Sequence, residues 1–395
     1  MTNALVVRPL RLFVVAGEHS GDALGAKLMA ALKRAHPAGI QFTGVGGELM
    51  EAEGLASLFP MAEVAVMGPI AILKRLAPIV RRVYQTVDAA ITAVPDAVVI
   101  IDAPEFTHAI AKRIRRKRPG IPIINYVSPT VWAWRSGRAK AMRPYVDHLL
   151  ALLPFEPAAH ERLGGPDCTY VGHPLAERLD AIRALDPEPL RKRLGLDPKR
   201  KVLLVLPGSR RTEVGRLIEP FRETARRLSW GCEAPEVVIP VVRSSRDMVE
   251  ASLASWPRTP HLIEGEDDKW LAFRLADAAL AASGTVTLEL AVAGTPMVIA
   301  YKVEVWFAKV VRMLAHVEMA GLPNLILGEK IFPEFIQEDC TPENLAAALA
   351  DILVPGPARQ RQLDGLAEIP RRLAVPHGSP SDAAAQIVLR WAPKV

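Results

Sequence analysis

The segment from Ala278 to Ala300 most constrains how this chain can fold. An apolar run ends at Ala282, a Ser-Gly-Thr turn follows, a second apolar run extends to Ala293, and Gly294-Thr-Pro separates it from a third run. Glycine followed closely by proline is a typical helix stop. The pattern predicts a buried strand, a helix and a second buried strand, which is the repeating unit of a parallel α/β sheet.

The start of this predicted helix has the character of an anion site. The side chain of Ser283 or Thr285 is expected to cap the helix, and the backbone N–H groups around Gly284 favour a phosphate group, as does the helix dipole. Glu289 lies one turn further on the same face, where a carboxylate can accept hydrogen bonds from ribose hydroxyls. The segment therefore predicts half of a nucleotide site, with an ordinary α/β turn as the alternative.

Length and composition restrict the class of protein. A chain of 395 residues exceeds what one core normally serves, so two domains are expected. The three cysteines are widely spaced, Met1 to Ala16 lacks the features of a signal peptide, and the longest apolar region is interrupted by Asp277 and Glu289. These features predict a cytoplasmic protein without membrane spans. The net charge of +6 favours anionic partners.

Polar residues follow the first predicted strand, Leu12 to Ala16. Glu18, Ser20 and Asp22 lie in the loop after it, where open α/β sheets bind ligands. For Asp22, a helix cap and a site role both remain open. The glycines of this loop are spaced by four and do not form the dinucleotide fingerprint, so no nicotinamide or flavin cofactor is expected.

Two further strand ends carry candidate site residues. Asp102 follows the apolar strand Ala97 to Ile101, at a favoured place for a catalytic group. Trp132, Trp134 and Arg135 follow the next strand and are interpreted either as a wall for a sugar or acyl chain, or as a packed corner.

Two basic segments suggest contact with anionic surfaces. Val64 to Val83 mixes cations with apolar residues and fits either a helix lying on a membrane or a core-facing helix. Its candidate membrane residues are Met67, Ile70, Ile72, Leu73 and Leu76. Lys112 to Arg118 is expected to be a solvated helix face or a phosphate-binding surface. No aromatic platform is interleaved with it, which argues against single-stranded nucleic acid.

The second half of the chain repeats the strand, glycine turn and helix pattern. Ser209 and Arg210 follow the strand Val202 to Leu206, and Arg210 can neutralise a diphosphate. The acidic segment Glu264 to Asp268 is interpreted as a solvated loop. The sequence contains no Asp-x-Asp pair of the kind that holds a diphosphate through a metal ion, so no metal is expected.

Nine motifs occur in the order found in one family. They are Ala16-Gly-Glu-His-Ser-Gly-Asp22, Gly44-Val-Gly-Gly47, Val66-Met-Gly68, Ile101-Asp-Ala-Pro104, Tyr126-Val-Ser-Pro-Thr-Val-Trp-Ala-Trp134, Val171-Gly-His173, Leu206-Pro-Gly-Ser-Arg210, Ala282-Ser-Gly-Thr285 and Leu322-Pro-Asn324. Over nearly its whole length the chain resembles the lipid-A-disaccharide synthase family. His19 departs from the smaller residue that is usual there.

The resemblance implies a GT-B glycosyltransferase with two Rossmann-like domains facing a cleft. It implies an acceptor and membrane-facing domain at 1–175, a donor domain at 176–355, and a tail at 356–395 that returns to the first domain. The implied reaction moves 2,3-diacylglucosamine from its UDP derivative to 2,3-diacylglucosamine 1-phosphate, with inversion and without a metal. The implied location is the cytoplasmic face of the inner membrane, with peripheral attachment to its lipids, and a homodimer is left open.

The same resemblance implies roles for the candidate residues. Asp102 would be the general base. The implied donor-binding residues are Ser209, Arg210, Ser283, Gly284, Thr285, Glu289 and Asn324. The implied acceptor-binding residues are Glu18, Ser20, Asp22, Trp132, Trp134 and Arg135.

Two other functions remain as alternatives. One is a different UDP-sugar enzyme with the same fold, such as a UDP-N-acetylglucosamine epimerase. The other is a non-catalytic basic protein that binds anionic lipid or nucleic acid in a salt-sensitive way.

Overall fold

The computed structural model describes residues 8–65, 76–229, 234–303, 319–376 and 378–392. The chain divides into two compact units, the first comprising Met1–Pro174 with Val375–Val395 and the second comprising Leu175–Ala374. Each unit is built on a parallel β-sheet with helices between the strands. The prediction of two parallel α/β domains is confirmed.

The described strands of the first unit form one parallel sheet in the order β3-β2-β1-β4-β5-β6-β7. The strands are β1 Leu10–Ala16, β2 Ile40–Val45, β3 Ala56–Ser57, β4 Ala97–Ile101, β5 Ile123–Tyr126, β6 His148–Ala151 and β7 Asp167–Tyr170. The helices are α1 His19–Ala35, α2 Glu48–Ala52, α3 Leu76–Ala93, α4 Pro104–Lys117, α5 Gly137–Met142 and α6 Glu156–Arg162, with a 3₁₀ turn at Met61–Glu63. The strand order reverses between β1 and β4, which makes that crevice the expected ligand position.

The described strands of the second unit form a parallel sheet in the order β10-β9-β8-β11-β12-β13. The strands are β8 Val202–Leu206, β9 Glu236–Pro240, β10 His261–Ile263, β11 Ala278–Ala282, β12 Met297–Tyr301 and β13 Glu334–Ile336. The helices are α7 Leu179–Arg183, α8 Glu188–Leu194, α9 Arg211–Leu228, α10 Arg246–Ser252, α11 Glu266–Leu275, α12 Thr285–Ala293, α13 Leu322–Leu327, α14 Pro342–Leu353 and α15 Pro357–Leu373, with 3₁₀ turns at Pro174–Arg178, Leu253–Ser255 and Gln337–Asp339. Here the strand order reverses between β8 and β11.

The central strands explain why apolar runs dominate the sequence. All five residues of β4, β8 and β11 are buried, because helices cover both faces of a parallel sheet. A strand of this kind has no solvated face and so shows no polar alternation. Its polar neighbours are therefore concentrated at the strand ends, where the candidate site residues lie.

The last described helix, α16 at Pro380–Trp391, belongs to the first unit. Ala384, Ala385 and Val388 of α16 are fully buried in the core of that unit, and Arg34 of α1 pairs with Asp382 at 2.7 Å. The predicted return of the tail is confirmed.

The return begins later in the chain than the expected position 356. Helix α15 stays in the second unit, since the buried Gln362 side chain bonds to both the backbone N–H and C=O of Met297 in β12. This long-range pairing leaves no trace in the local sequence pattern. Among the described residues, no helix is both long and apolar enough to cross a bilayer.

Candidate active site

Asp102 and Ser20 meet at the crevice between β1 and β4. Asp102 directly follows β4, and the Ser20 hydroxyl donates to its Oδ2 at 3.3 Å. Asp102 and Ala103 both adopt a left-handed backbone, with φ of 51° and 43°. The Asp102 N–H donates to the Tyr126 carbonyl at 3.0 Å, and the Thr107 hydroxyl donates to the Asp102 carbonyl at 2.7 Å. Left-handed conformations of non-glycine residues cluster at functional sites, where surrounding bonds hold them.

Gly17 allows the loop after β1 to approach this turn. A Cβ atom at residue 17 would come within 2.8 Å of the Ala103 Cβ, closer than two carbon atoms can pack. The glycine therefore lets Glu18 and Ser20 lie beside Asp102's turn. Glu18 is half-buried and Ser20 is exposed.

Asp22 lies outside this group. It is only 3% exposed; its Oδ1 accepts from the N–H groups of Gly47 and Met50 at 2.8 and 3.1 Å, and its Oδ2 accepts from Leu49 at 3.1 Å. The carboxylate thus caps the start of α2. Asp22 is therefore a helix cap, but for α2 and not for the helix that follows β1 as expected, because it lies within α1, one turn of which carries the side chain away from the sheet edge and into the core.

The two tryptophans after β5 have different surroundings. Trp132 is buried, packs edge-on against Phe155 and donates its indole N–H to Glu156, so it forms a packed corner. Trp134 is 37% exposed, and the Arg135 guanidinium lies 4.3 Å from its ring centre. Only Trp134 and Arg135 are therefore available as a wall for a ligand.

A buried polar cluster behind this corner was not anticipated from the sequence. Oε2 of Glu156 accepts from the N–H groups of Leu152 and Leu153 at 3.1 and 3.0 Å, and the Ser128 hydroxyl is 2.8 Å from Nε2 of His160. Burial raises the pKa of Glu156 to about 7 and lowers that of His160 to about 4. Both residues follow β6, so the strand-end argument applied to Asp102 could have found them.

Most of the predicted donor-binding residues of the second unit line one cavity of about 670 Å³ at the ends of β8, β9, β10 and β11. The cavity brings together Ser209, Arg210, Ser283, Gly284, Thr285 and Glu289. Lys269, which the sequence did not single out, also lines it. This position is the strand-order reversal between β8 and β11, where open α/β sheets bind nucleotides.

At one wall of the cavity, Glu213 occupies the N-terminus of α9. Its Oε2 accepts from the N–H groups of Ser209 and Arg210 at 3.2 and 3.3 Å, and the Arg210 guanidinium donates to its Oε1 at 2.9 Å. Gly208 has φ of 114°, and a Cβ there would lie 2.6 Å from the Glu213 side chain. The N–H groups of this turn therefore bind the Glu213 carboxylate, and the Arg210 side chain remains exposed at the rim of the cavity.

The N-terminus of α12 forms the opposite wall. The predicted cap is wrong, since among the described residues no side chain caps this helix and Ser283 instead donates to the Ala320 carbonyl at 2.9 Å. Gly284, Thr285 and Val286 line the cavity. The helix thus presents its positive end to the cavity without a competing side-chain oxygen.

Glu289 lies one turn below this wall and pairs with Lys269. The Lys269 Nζ is 3.3 Å from Oε1 and 3.2 Å from Oε2. Burial raises the pKa of Glu289, and the charge of Lys269 opposes that effect. The arrangement holds an acceptor group at the position predicted for a ribose-binding residue.

Asn324 does not line the cavity. It is fully buried; its amide donates to the Phe332 carbonyl at 2.8 Å and to Glu334 at 2.7 Å, and its Oδ1 accepts from the N–H groups of Ile331 and Phe332 at 3.0 Å. Glu334 in turn accepts from the N–H groups of Ala320 and Gly321. Asn324 therefore stabilises the loop that receives the Ser283 hydroxyl and has no amide group left for a ligand.

Four predicted membrane residues, Met67, Ile70, Ile72 and Leu73, lie outside the described residues. Leu76 is described and is 49% exposed at the start of α3. In the described part of the chain, no three His, Cys, Asp or Glu side chains converge to hold a metal ion.

Comparison with known families identifies a match over nearly the whole chain. Residues 12–386 match the model of the family described as lipid-A-disaccharide synthetase. The lipid-A-disaccharide synthase of Nitrobacter winogradskyi is 52% identical over 382 residues, which is 96% of this chain and 95% of the relative. That of Rhodopseudomonas palustris HaA2 is 50% identical over 390 residues and 98% of both chains.

Solved structures resemble the fold at low sequence identity. The UDP-GlcNAc 2-epimerase of Neisseria meningitidis, solved with UDP-GlcNAc, aligns with a TM-score of 0.61 and 12% identity over 97% of this chain and 99% of the epimerase. Acinetobacter baumannii MurG aligns with a TM-score of 0.59 and 14% identity over 97% of this chain and 100% of MurG. These similarities confirm the predicted GT-B fold class.

Proposed function

The chain belongs to the lipid-A-disaccharide synthetase family, and from this premise we propose its substrates and mechanism. It is a glycosyltransferase of lipid A biosynthesis that uses a UDP-sugar. The proposed donor is UDP-2,3-diacylglucosamine and the proposed acceptor is 2,3-diacylglucosamine 1-phosphate. The products are the β-1,6-linked disaccharide 1-phosphate and UDP.

The observation that carries the proposal is the cavity of the second unit. It combines the uncapped α12 N-terminus, the Arg210 guanidinium and the Glu289 carboxylate at the strand-order reversal. A helix N-terminus and a guanidinium suit a diphosphate, and a carboxylate suits ribose hydroxyls. Together these three groups match two parts of a UDP leaving group, the diphosphate and the ribose.

The proposed reaction is a single displacement. The acceptor 6-hydroxyl attacks the anomeric carbon of the donor and transfers its proton to Asp102, while the bond between that carbon and the diphosphate oxygen breaks. UDP leaves with the bond's electron pair, and its added charge is stabilised by the α12 N-terminus and Arg210. One displacement converts an α-linked donor into a β-linked product.

The substrate assignment is tested by following UDP release from UDP-2,3-diacylglucosamine with and without 2,3-diacylglucosamine 1-phosphate. We expect release that depends on the acceptor and a disaccharide product detected by mass spectrometry. UDP release without a disaccharide, or no reaction by a chain that still binds UDP, would contradict the assignment and favour another UDP-sugar enzyme.

We further propose that α3 attaches the protein peripherally to a membrane of anionic lipid. Leu76, Val80 and Tyr84 are 49%, 41% and 50% exposed and follow one another at four-residue intervals, so they form a stripe on one face of the helix. Arg81 beside the stripe is exposed, and Arg113 lies 5.0 Å from the Tyr84 ring centre. Exposed apolar groups with flanking cations suit the boundary of an anionic bilayer, and both proposed substrates carry acyl chains.

The stripe is tested by Val80→Glu in a flotation assay with vesicles containing phosphatidylglycerol. Placing a charge in the stripe is expected to lower the vesicle-bound fraction several-fold, because a carboxylate is repelled by both acyl chains and anionic headgroups. Val354→Glu is the matched control, since Val354 is 50% exposed in the second unit. Equal binding by the two variants would contradict the proposed surface.

A further inference from the structure

The acidic segment before the donor cavity is part of a charge network. The sequence interpretation of Glu264 to Asp268 as a solvated loop is wrong for its last residues, because α11 begins at Glu266. Glu266 accepts from Lys269 one turn later, with 2.9 Å between Oε2 and Nζ. Lys269 also reaches Glu289, so one ammonium group joins α11 to α12 at the cavity wall.

Two aromatic rings further restrict where the Lys269 ammonium can lie. Its Nζ is 5.0 Å from the Trp270 ring centre and 5.8 Å from that of Phe273, within the range of cation–π attraction. The Trp270 indole is buried and donates to Oε1 of Glu266 at 2.7 Å. Glu266 is thereby held on one side by Trp270 and on the other by Lys269.

The Lys269 ammonium affects the ionisation of the Glu289 carboxyl group. Only 23% of the Glu289 side chain is exposed, and burial favours its neutral form. A neutral carboxyl is a poorer hydrogen-bond acceptor than a carboxylate, and its O–H group needs an acceptor of its own. Two carboxylate oxygens offer about four acceptor positions, so Lys269 and two ribose hydroxyls can be accommodated together.

We propose that Lys269 is a positioning residue for donor binding, which acts by keeping the Glu289 carboxylate charged and directed into the cavity. The proposal rests on the proposed role of Glu289 at the donor ribose. It assigns Lys269 no contact with the nucleotide.

Other charged groups lie around Glu289 but are not in direct contact with it in the described part of the chain. Glu266 acts against its ionisation and Arg178, which lies 3.9 Å from Glu266, acts in favour of it. Arg183 and Arg274 donate to the carbonyls of Val292 and Ala293 at the opposite end of α12. The remaining charged side chains of the cavity are Arg210, Glu213, Arg243 and Glu264. Lys269 is the cation in direct contact with Glu289 within the described ranges.

The test is calorimetric binding of UDP and of uridine to the full chain between about pH 5.5 and 8.5. Lys269→Met keeps the apolar stem against the aromatic rings but removes the charge. Loss of a cation at this distance raises a carboxyl pKa by about one unit or more, so affinity should begin to fall about one pH unit higher than in the wild type. Towards the acid end of this range both ligands should bind several-fold more weakly to Lys269→Met than to the wild type, and Lys269→Arg should restore the profile.

Lys201→Met is the matched control for charge. Lys201 pairs with Asp277 at 2.9 Å, next to the amino ends of β8 and β11 and away from the cavity. Its removal should leave the pH profile unchanged. The double variant Lys269→Met with Glu289→Gln should bind no more weakly than Glu289→Gln alone, since both substitutions remove one interaction.

The outcomes separate this proposal from the one on which it rests. Wild-type binding by Glu289→Gln would show that the charge of Glu289 is not needed and would overturn the role of Lys269, whereas wild-type binding by Glu289→Ala would remove the ribose role as well. Weakened binding by Glu289→Gln with an unshifted profile in Lys269→Met would overturn only the role of Lys269. A loss confined to UDP, with uridine unaffected, would show that Lys269 binds phosphate directly and would also overturn the proposal.

Discussion

Asp102→Asn is expected to lower kcat by about a thousandfold and to leave UDP affinity unchanged, because asparagine cannot accept the acceptor's proton and a general base contributes about 10²- to 10⁴-fold. Asparagine is the most suitable substitution at this position, because it removes the base with little effect on the backbone. It tolerates the left-handed backbone of residue 102, whose φ is 51°, better than alanine does. Loss of activity can then be separated from loss of structure.

The measurement combines steady-state UDP release with calorimetric UDP binding and thermal unfolding. Ser20→Ala removes only the 3.3 Å hydrogen bond to Asp102, so it should reduce kcat by a smaller factor. Asp88→Asn on α3 removes an exposed carboxylate paired with Lys117 and serves as the remote control. A fully active Asp102→Asn variant, or one that has lost UDP binding instead of turnover, would contradict the proposed base.

Glu289→Ala is expected to weaken UDP binding by about ten- to a hundredfold. Hydrogen bonds to a charged acceptor contribute about 1.5–3 kcal/mol each, and one or two ribose hydroxyls lose their partner. Uridine should weaken by a similar factor, because it carries the same ribose. The rate at saturating donor should change less than the donor KM, since the interaction is present before the reaction starts.

Arg210→Ala provides a contrast within the same cavity. The Arg210 side chain is 69% exposed at the cavity rim and is proposed to meet the diphosphate, so its loss should weaken UDP but not uridine. Glu250→Ala, which breaks an exposed pair with Arg246, is the remote control for removing a carboxylate. Wild-type affinity of Glu289→Ala for both ligands would contradict the ribose assignment.

Local sequence patterns were sufficient to locate the candidate residues that follow the ends of strands. Asp102, Arg210, Ser283 and Glu289 each follow a buried strand closely, and their neighbourhoods depend on short segments of regular structure. Within each sheet, the parallel strands bring the segments that follow them to the same edge of that sheet. Residues identified in this way lie where the parallel-sheet argument places them.

Local patterns failed where a side chain's partner is distant in sequence. Asp22 and Asn324 were assigned to ligands, yet their polar atoms bond to the backbone at residues 47–50 and at 331–332, respectively. Glu156 and Lys269 were overlooked, although they hold Trp132 and Glu289. A polar residue near a strand end is equally suited to a ligand and to a buried loop, and the sequence does not show which partner reaches it.

The sequence by itself determined the two parallel α/β units and the turns that carry the candidate site, whereas the point at which the tail returns to the first unit depends on long-range contacts. Apolar runs, glycine turns and helix stops are consequences of backbone geometry and of burial within short segments, so they can be recognised locally. Only the tertiary structure decided which polar groups already have partners, how far Lys269 is from Glu289, and that Glu213 occupies the start of α9. Hydrogen bonds and ion pairs act over about 3 Å, and folding brings these atoms within that range.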